Sequence, residues 1–273
     1  SDIKIYELDG SMIGFNALGQ LGRLGNQMFQ FAALKGIARH HDYQFCFPPS
    51  ANKNEWTDHQ ILIPFKLSST NELNIQYIDV DRPTVIEKGF GFDQDLFNNC
   101  PDWVTIQGFF QTEKYFKHIE KEIKNDFTFR DEIYQPCDDM ILSLDNPVAL
   151  HIRRTDYITN PNHTCLGMDY YQKALESFPE DTVLIFSDDP QWCQRQELFS
   201  DDRFLVSDND DAYIDLCLMT MCKKHIIANS SFSWWGAWLA DSDKVVAPKG
   251  WFEGSNNSHL DTSDIYCSDW IVL

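Results

Sequence analysis

Two adjacent arginines follow an apolar run and could hold an anion. Residues 147–150 lead into HIRRTDY (residues 151–157), which places Arg153 and Arg154 where a buried strand should end. A guanidinium keeps its charge and pairs with phosphate or carboxylate through two N–H groups. We therefore predict an anionic ligand at these two residues. The alternative is a surface turn in which Asp156 neutralises one arginine, because exposed ion pairs are common.

A second candidate for anion binding is NSSFSWWG (residues 229–236), directly after a predicted strand at 225–228. Its small hydroxyl side chains stand at the start of a predicted helix. We predict Ser230 or Ser231 as the N-cap, with neighbouring amides that cradle an anion. Capping combined with core packing would also explain this segment, since Phe232, Trp235 and Trp238 recur at helical spacing.

Carboxylates form a third group of candidates. Ser187, Asp188 and Asp189 follow a predicted strand at 182–186. The carboxylates could accept from ribose hydroxyls or a guanine edge, or Ser187 or Asp188 could cap the next helix. Asp215 lies one turn inside an apolar helix predicted over 212–221. Because a buried carboxylate needs a partner, Asp215 is more informative than Asp210 and Asp211, which are expected to cap this helix.

A glycine-rich turn, GRLGNQ (residues 22–27), matches neither the dinucleotide fingerprint nor the P-loop. Its glycines permit close backbone approach, and Asn26 and Gln27 offer amides at a helix start. Two D-x-D matches, at 79–81 and 208–210, are expected by chance in an acidic chain and favour solvated turns. We therefore predict no metal site.

After residue 147 the predicted elements alternate regularly. Strands are predicted at 148–152, 182–186, 203–206, 225–228 and 244–247, and helices at 168–178, 191–198, 212–221 and 232–240. This alternation predicts an α/β fold with a doubly wound parallel sheet. Ligands bind outside the carboxyl ends of such strands, which is where the arginines and the serines lie.

The N-terminal half is less regular. It shows a strand at 12–15, a helix after the glycine-rich turn, a strand at 103–107 and a helix at 113–123, whereas residues 48–100 permit no assignment. A polar segment at 131–146, which contains Pro136, predicts a boundary between domains 1–145 and 146–273.

Composition limits the class of partner. The 273 residues carry a formal net charge of -20, which disfavours nucleic acid and anionic membranes. This repulsion is screened beyond about 8 Å, so a local arginine pair can still capture a small anion. The eight cysteines include no C-x-x-C pair, and we expect reduced thiols. Without an apparent signal peptide or a long apolar run, a cytoplasmic protein with no stable membrane insertion is expected.

Four blocks together resemble the α-1,2-fucosyltransferases of glycosyltransferase family 11. They are GRLGNQMFQFA (22–32), HIRRTDY (151–157), FSDDPQW (186–192) and DAYIDLCLMTMCKKHIIANSSFSWWGAWL (211–239), in the order of that family. The resemblance implies a GT-B-like architecture of two Rossmann-type domains facing a cleft, with the acceptor on the N-terminal side. It also implies inverting transfer of L-fucose from GDP-β-L-fucose to the 2-hydroxyl of a galactose-containing oligosaccharide, without a required metal or other cofactor.

The resemblance further implies a role for each candidate residue. Arg153 and Arg154 would hold the pyrophosphate and stabilise the leaving group. The remaining predicted contacts are His151 and Asp188 to the nucleotide, Asp215 to the guanine edge, Asn229, Ser230, Ser231 and Phe232 around the phosphates, and Asn26 and Gln27 to the fucose and pyrophosphate. Asp156 is either the base that takes the acceptor proton or a salt-bridge partner of an arginine.

Two other functions stay open at this point. The same scaffold could use another GDP-sugar, or the chain could be a non-catalytic glycan-binding protein, which its 14% aromatic content would suit. Animal members of the family typically carry a membrane anchor ahead of the catalytic domain, so this sequence is expected to be closer to bacterial or viral forms, or to be trimmed. The sequence predicts neither the acceptor glycan nor the oligomeric state.

Overall fold

The computed structural model describes residues 10–50 and 60–273. The chain divides into two compact units. The first consists of Ser1–Ile63 and Leu67–Asp126, and the second consists of Pro64–Lys66 and Phe127–Leu273.

Each unit contains a parallel β-sheet with helices on it. In chain order, the described elements of the first unit are β1 (Met12–Gly14), α1 (Leu24–His40), β2 (Gln44–Cys46), β3 (Thr84–Ile86), α2 (Gln94–Asn99), β4 (Val104–Gln107) and α3 (Glu120–Asp126). The strands pair in the order β2-β1-β4-β3, and every pairing is parallel. Ile13 of β1 lies opposite Phe45 on one side and Val104 on the other.

Helix α1 packs as the sequence predicts. Met28, Phe31 and Leu34 are fully buried, because apolar residues recur along the helix at a spacing close to its turn. The ring of Phe31 meets Phe45 and Phe47 edge-on, at centroid distances of 5.9 and 5.7 Å.

The second unit contains the longer sheet. Its described elements are α4 (Asp131–Leu142), β5 (Val148–Ile152), α5 (Thr155–Thr159), α6 (Met168–Leu175), β6 (Val183–Ser187), α7 (Pro190–Gln194), β7 (Phe204–Val206), α8 (Ala212–Met221), β8 (Lys224–Ile226), α9 (Ser231–Ala240), β9 (Lys244–Ala247) and β10 (Ile271–Val272). The strand order is β10-β9-β8-β5-β6-β7, again with every pairing parallel. All five residues of the central strand β5 are buried. Covered faces of this kind are typical of a parallel sheet and confirm the predicted α/β class.

Several parts of the chain differ from the sequence prediction, which did not contain the short elements β2, α2 and α5. The helix predicted over 113–123 is two 3₁₀ turns, Glu113–Tyr115 and Lys117–Ile119, followed by α3. Phe116 interrupts the helix between the two turns, with an extended φ of -139°. The structure also adds β3 and β10, which are too short to show a periodic pattern.

The polar segment predicted to separate the domains is largely helical. Helix α4 runs through Pro136 and belongs to the second unit, and the division of the chain falls ahead of it, between residues 126 and 127. Ile133 and Cys137 stand one turn apart on its buried face, and the helix packs against α8. Proline costs the helix one hydrogen bond, which this packing offsets.

Candidate functional site

The strand order of the second sheet reverses between β5 and β8. The chain moves outward from β5 through β6 to β7, and in the opposite direction from β8 through β9 to β10. Ligands of open α/β sheets bind outside the carboxyl ends of the strands at such a switch point. HIRRTDY stands at the end of β5 and NSSFSWWG follows β8, so the two predicted anion-binding segments meet there. The rings of His151 and Phe232 join them, with centroids 5.5 Å apart.

Arg153 is held by two carboxylates. Its Nη1 donates to Asp188 Oδ2 at 2.6 Å, and its Nη2 pairs with Asp156 Oδ1 at 2.7 Å. The guanidinium also lies 5.0 Å from the ring centre of Tyr157. These contacts place Asp156 as a salt-bridge partner, which is one of the two roles that the sequence left open.

Arg154 is held mainly by stacking. Its Cζ lies 3.8 Å from the ring centre of Trp192, a distance typical of a cation–π contact. Asp189 Oδ2 is 3.5 Å from Nε, close enough for charge attraction, yet this buried Nε makes no hydrogen bond. A buried N–H without a partner is costly, so Arg154 has a donor available for an incoming oxygen.

Asp188 organises both arginines. Its Oδ2 accepts from Arg153 and from the Thr155 hydroxyl at 2.5 Å, and its Oδ1 accepts from the backbone N–H of Arg154 at 2.8 Å. Three donors thus converge on one carboxylate at the end of β6 and fix the start of α5. Asp188 thus holds the side chain of Arg153 and the backbone of Arg154 in place, and its direct contact with the nucleotide stays a prediction.

Three carboxylates therefore oppose two guanidinium groups in this structure. An anionic ligand that pairs with Arg153 competes with Asp156 and Asp188. Asp156 is the readiest to leave, because its side chain is 47% exposed and Asp188 has three donors to hold it. Exposed ion pairs contribute little to stability, so this exchange costs little free energy.

His151 is an uncharged polar group beneath the arginines. Burial, reinforced by the charge of Arg153, lowers its pKa to about 3. The imidazole is therefore neutral at physiological pH, and its buried Nδ1 has no hydrogen-bond partner. Buried polar atoms in native proteins rarely lack a partner, so this nitrogen is suited to a ligand.

The N-terminus of α9 follows β8, the strand next to β5, and lies at the same edge of the sheet as the arginines. Ser230 is the N-cap, and its Oγ accepts from the Phe232 N–H at 3.3 Å. Ser231 and Phe232 are half-buried in the first turn. The positive end of the helix dipole favours an anion here. The capping predicted from sequence is present, and it uses the side chain of Ser230.

Asn229 turns its side chain into the protein. Its Nδ2 donates to the backbone carbonyl oxygens of Thr164 and Trp251, at 2.8 and 2.9 Å. The backbone carbonyl of Asn229 accepts from the Tyr157 hydroxyl at 3.4 Å. Both amide protons are therefore used internally. Asn229 fixes the loop after β8 and ties it to α5.

Asp215 lies at the same edge of the sheet but farther from the arginines. It accepts from the hydroxyl of Ser207, directly after β7, at 2.9 Å. Burial raises the pKa of Asp215 to about 6, although the hydrogen bonds from Ser207 and Asn209 oppose the shift. Since β6 separates β7 from β5, the structure does not bring Asp215 together with Arg153.

Asn26 and Gln27 stand in the first turn of α1, in the first unit. Asn26 Oδ1 accepts from Gln111 Nε2 at 2.9 Å, while Gln27 donates to the Gly22 carbonyl and accepts from the Gln60 N–H. Gly22 has a φ of +108°, and a Cβ there would lie 2.3 Å from Asn26 Nδ2. Glycine is thus required for this turn, and the fully buried Gln27 supports it.

Sequence reasoning missed two aromatic residues of the site. Trp192 stacks on Arg154, and Tyr157 lies between Arg153 and His163, parallel to the histidine ring at 4.3 Å. Both belong to the blocks HIRRTDY and FSDDPQW. An aromatic residue close to an arginine in each block was the available signal, since guanidinium groups stack on such rings.

Across residues 10–50 and 60–273, no cluster of three or more His, Cys, Asp or Glu side chains could hold a metal ion. The predicted independence of metal stays a prediction. Nor does any helix in this described part of the chain combine the length and apolar character needed to cross a bilayer.

Comparison with solved structures defines the fold class. NodZ from Bradyrhizobium, described as a fucosyltransferase, superposes with a TM-score of 0.56 at 13% identity, over 86% of this chain and 95% of that one. A variant of Arabidopsis thaliana FUT1 in complex with GDP gives a TM-score of 0.52 at 9% identity, over 88% and 71% of the two chains. The protein thus has the GT-B-like α/β fold with a switch-point site suited to an anion.

Comparison of sequences then gives the family. Residues 4–273 match the family model Glycosyl transferase family 11, so the chain belongs to that family. The O-antigen biosynthesis glycosyltransferase WbnK of Escherichia coli is 36% identical over 201 residues, which are 66% of this chain and 65% of that protein. An Escherichia coli alpha-1,2-colitosyltransferase is also 36% identical, over 62% of each chain.

A mammalian relative matches more of the chain at lower identity. Galactoside alpha-(1,2)-fucosyltransferase 1 of Sus scrofa is 25% identical over 82% of this chain and 65% of its own length. The chain thus spans a little under two thirds of the length of these curated relatives.

Proposed function

We propose that this protein is an inverting α-1,2-fucosyltransferase that moves L-fucose from GDP-β-L-fucose to the 2-hydroxyl of a galactoside. The observation that carries the proposal is the arginine pair at the switch point of the second sheet, beside the N-terminus of α9. Both features favour a pyrophosphate. Membership of family 11 and the names of the α-1,2-transferring relatives support the linkage.

The donor belongs to the second unit in this proposal, and the acceptor to the first. Arg153 and Arg154 bind the pyrophosphate, with the unpaired Nε of Arg154 as one donor. The first-turn amides of α9 and the neutral His151 complete the anion site. Asp215 recognises the guanine, and Asn26 and Gln27 stay predicted contacts to the sugar and pyrophosphate.

The reaction is a single displacement. The acceptor hydroxyl oxygen forms a bond to C1 of fucose while the bond from C1 to the β-phosphate oxygen breaks, and the hydroxyl proton leaves to a base or to water. Negative charge grows on the departing GDP, and fixed guanidinium donors stabilise that charge without a metal ion. Asp156, paired with Arg153 at 2.7 Å, acts as the phosphate's competitor and not as the base.

The decisive experiment is transfer from GDP-fucose to lactose, with and without EDTA, with the product linkage determined by NMR. We expect an α-1,2 product, unaffected by EDTA. Arg153→Lys keeps the charge but loses the two-pronged donor, and should lower turnover on the order of 10²-fold. Arg195→Lys, on the exposed surface of the same unit, is the matched control and should be unchanged. Absence of GDP binding, or full activity of Arg153→Lys, would contradict the proposal.

A second candidate is transfer of another sugar from its GDP conjugate. A relative at 36% identity is named for colitose, so this observation favours testing a colitose donor beside GDP-fucose. The anion site would be unchanged, and competition between the two donors for one transfer reaction decides between them.

A further inference from the structure

The first sheet also has a topological switch point, and Asn26 borders it through its hydrogen bond with Gln111. Its strand order β2-β1-β4-β3 places the switch between β1 and β4. The loop after β1 meets β4 here, since the Asn16 N–H donates to Thr105 Oγ1 at 2.8 Å. The loop after β4, residues 108–112, lies between the end of β3 and the start of α1. It contributes Phe109, Phe110 and Gln111, all uncharged.

This loop is held firmly from both sides. Gln111 Nε2 donates to Asn26 at 2.9 Å, while the Phe110 N–H donates to Glu87 Oε1 at 3.0 Å. Phe110 has a φ of +52°, in the left-handed region that non-glycine residues rarely adopt. Its ring is fully buried and meets Tyr115 edge-on at 5.1 Å. The packing of Phe110 offsets the backbone strain and holds the loop in place.

Phe109, by contrast, turns outward from this rigid loop. Its side chain is 47% exposed, although a phenyl ring is strongly apolar. The preceding Gly108 permits the loop to approach β3, because a Cβ there would lie 2.6 Å from Glu87 Cβ. An exposed ring on a fixed backbone offers a flat apolar face at little cost in conformational entropy.

Glu87 directly follows β3 and accepts a hydrogen bond from the backbone of Phe109. The Tyr115 hydroxyl donates to Glu87 Oε2 at 2.7 Å and itself accepts from the Asp93 N–H at 2.8 Å. Burial raises the pKa of Glu87 to about 7, opposed by the Tyr115 and Phe110 hydrogen bonds and reinforced by the Asp93 charge. The carboxyl group is fixed but half-buried, and it retains acceptor capacity for a hydroxyl.

We propose that Phe109 and Glu87 form a subsite for an uncharged saccharide. The C–H face of a sugar ring packs on Phe109, and a sugar hydroxyl donates to the carboxyl group of Glu87. An exposed aromatic face beside one fixed carboxyl acceptor suits hydroxyl-rich ligands, just as paired arginines suit phosphate. The identity of the saccharide as a galactoside rests on the proposed function, whereas the subsite itself rests on the first unit alone.

The test is titration of lactose into the full chain, followed by saturation-transfer NMR, in parallel with calorimetric titration of GDP. Phe109→Leu keeps apolar area but removes the ring face, and Glu87→Gln removes the charge. We expect each to weaken lactose binding on the order of tenfold while GDP affinity stays unchanged. Phe109→Trp should restore binding. The control is Tyr134→Ala on α4, where an aromatic side chain of similar exposure, 41%, is lost outside the first unit.

The outcomes separate the two proposals. Equal lactose binding by the wild type, Phe109→Leu and Glu87→Gln would overturn the subsite, as would absence of lactose binding to the wild type with and without GDP. Fucose transfer with normal acceptor KM in these variants would overturn the subsite and leave the proposed function standing. Loss of lactose binding in the two variants, in a protein that binds no GDP, would support the subsite and overturn the donor assignment.

Discussion

In each sheet the carboxyl ends of the parallel strands form one edge, and the side chains at this edge differ between the two units. In the second unit, three carboxylates surround two guanidinium groups, and Asp188 accepts hydrogen bonds from Arg153, the Thr155 hydroxyl and the Arg154 backbone at 2.5–2.8 Å. In the first unit, the equivalent edge carries the amides of Asn26 and Gln111, the exposed ring of Phe109 and one carboxyl group, Glu87. The same parallel-strand architecture thus carries mainly ionic side chains at one edge and mainly neutral side chains at the other.

This difference shows how the surroundings decide the role of a carboxyl group. Asp188 accepts hydrogen bonds from a guanidinium group, a backbone N–H and a hydroxyl. Glu87 receives neutral donors only and is desolvated, so its proton is lost at a higher pH than usual. Replacing each acid by its amide therefore tests whether the two edges differ as described.

The largest effect is expected for Asp188→Asn. The amide cannot hold Arg153 as an ion pair, so the guanidinium loses its fixed position. A misplacement of about 1 Å can cost on the order of 10²-fold in rate, which is the loss we expect in kcat/KM for the donor. Steady-state kinetics with varied GDP-fucose, together with thermal unfolding, measure the two consequences.

The control for Asp188 lies at the opposite edge of the same sheet. Asp181 makes a single ion pair with Lys224 at 2.5 Å, so Asp181→Asn also removes one carboxylate from one cation. It should leave donor kinetics unchanged. Equal kinetics for Asp188→Asn and the wild type would refute the positioning role of Asp188.

An intermediate effect is expected in the first unit, in the dependence of stability on pH. The pKa of Glu87 is raised from 4.5 to about 7, so between these values the native state binds more protons than the unfolded chain. Stability from this group is fully present below pH 4.5 and is lost as pH rises through 7. The free energy of unfolding of the wild type, relative to Glu87→Gln, should fall by about 1–3 kcal/mol across that interval.

Urea unfolding of both proteins at a series of pH values measures this difference. The wild type and Glu87→Gln share all other titrating groups, so subtraction isolates Glu87. Parallel stability curves would show that the carboxyl group of Glu87 titrates normally, and the contrast between the two edges would then lose its electrostatic basis.

The sequence predicted the second edge better than the first. Strand β5, helix α8 and strand β9 match their predicted ranges because each is a sustained apolar segment. The rule that ligands lie at strand ends then located Arg153. The role of Asp188 was out of reach, since it depends on a contact between residues 35 positions apart in the chain.

The first edge offered no comparable signal. Strand β3 has three residues, too few for a period, so Glu87 lay within the unassigned segment 48–100. Phe109 turns outward next to Phe110, whose backbone is in the left-handed region. Packing stabilises this conformation, and the residue type does not predict it. Charged groups at the end of a long strand can be predicted from a sequence. An edge of mainly neutral side chains after short strands can be recognised only from the folded structure.

The smallest effect is expected for Asp156→Asn, which tests whether Asp156 competes with the phosphate for Arg153. If Asp156 occupies the Arg153 donor that phosphate needs, weakening that pair should tighten GDP binding by up to about fivefold, since the free energy of an exposed pair is about 0.2–1 kcal/mol. Turnover should change little. Calorimetry with GDP and initial-rate assays measure both. A large loss of turnover with normal GDP affinity would instead contradict the competitor role and favour Asp156 as the base, provided that Asp188→Asn, which also releases Arg153, weakens the donor as well.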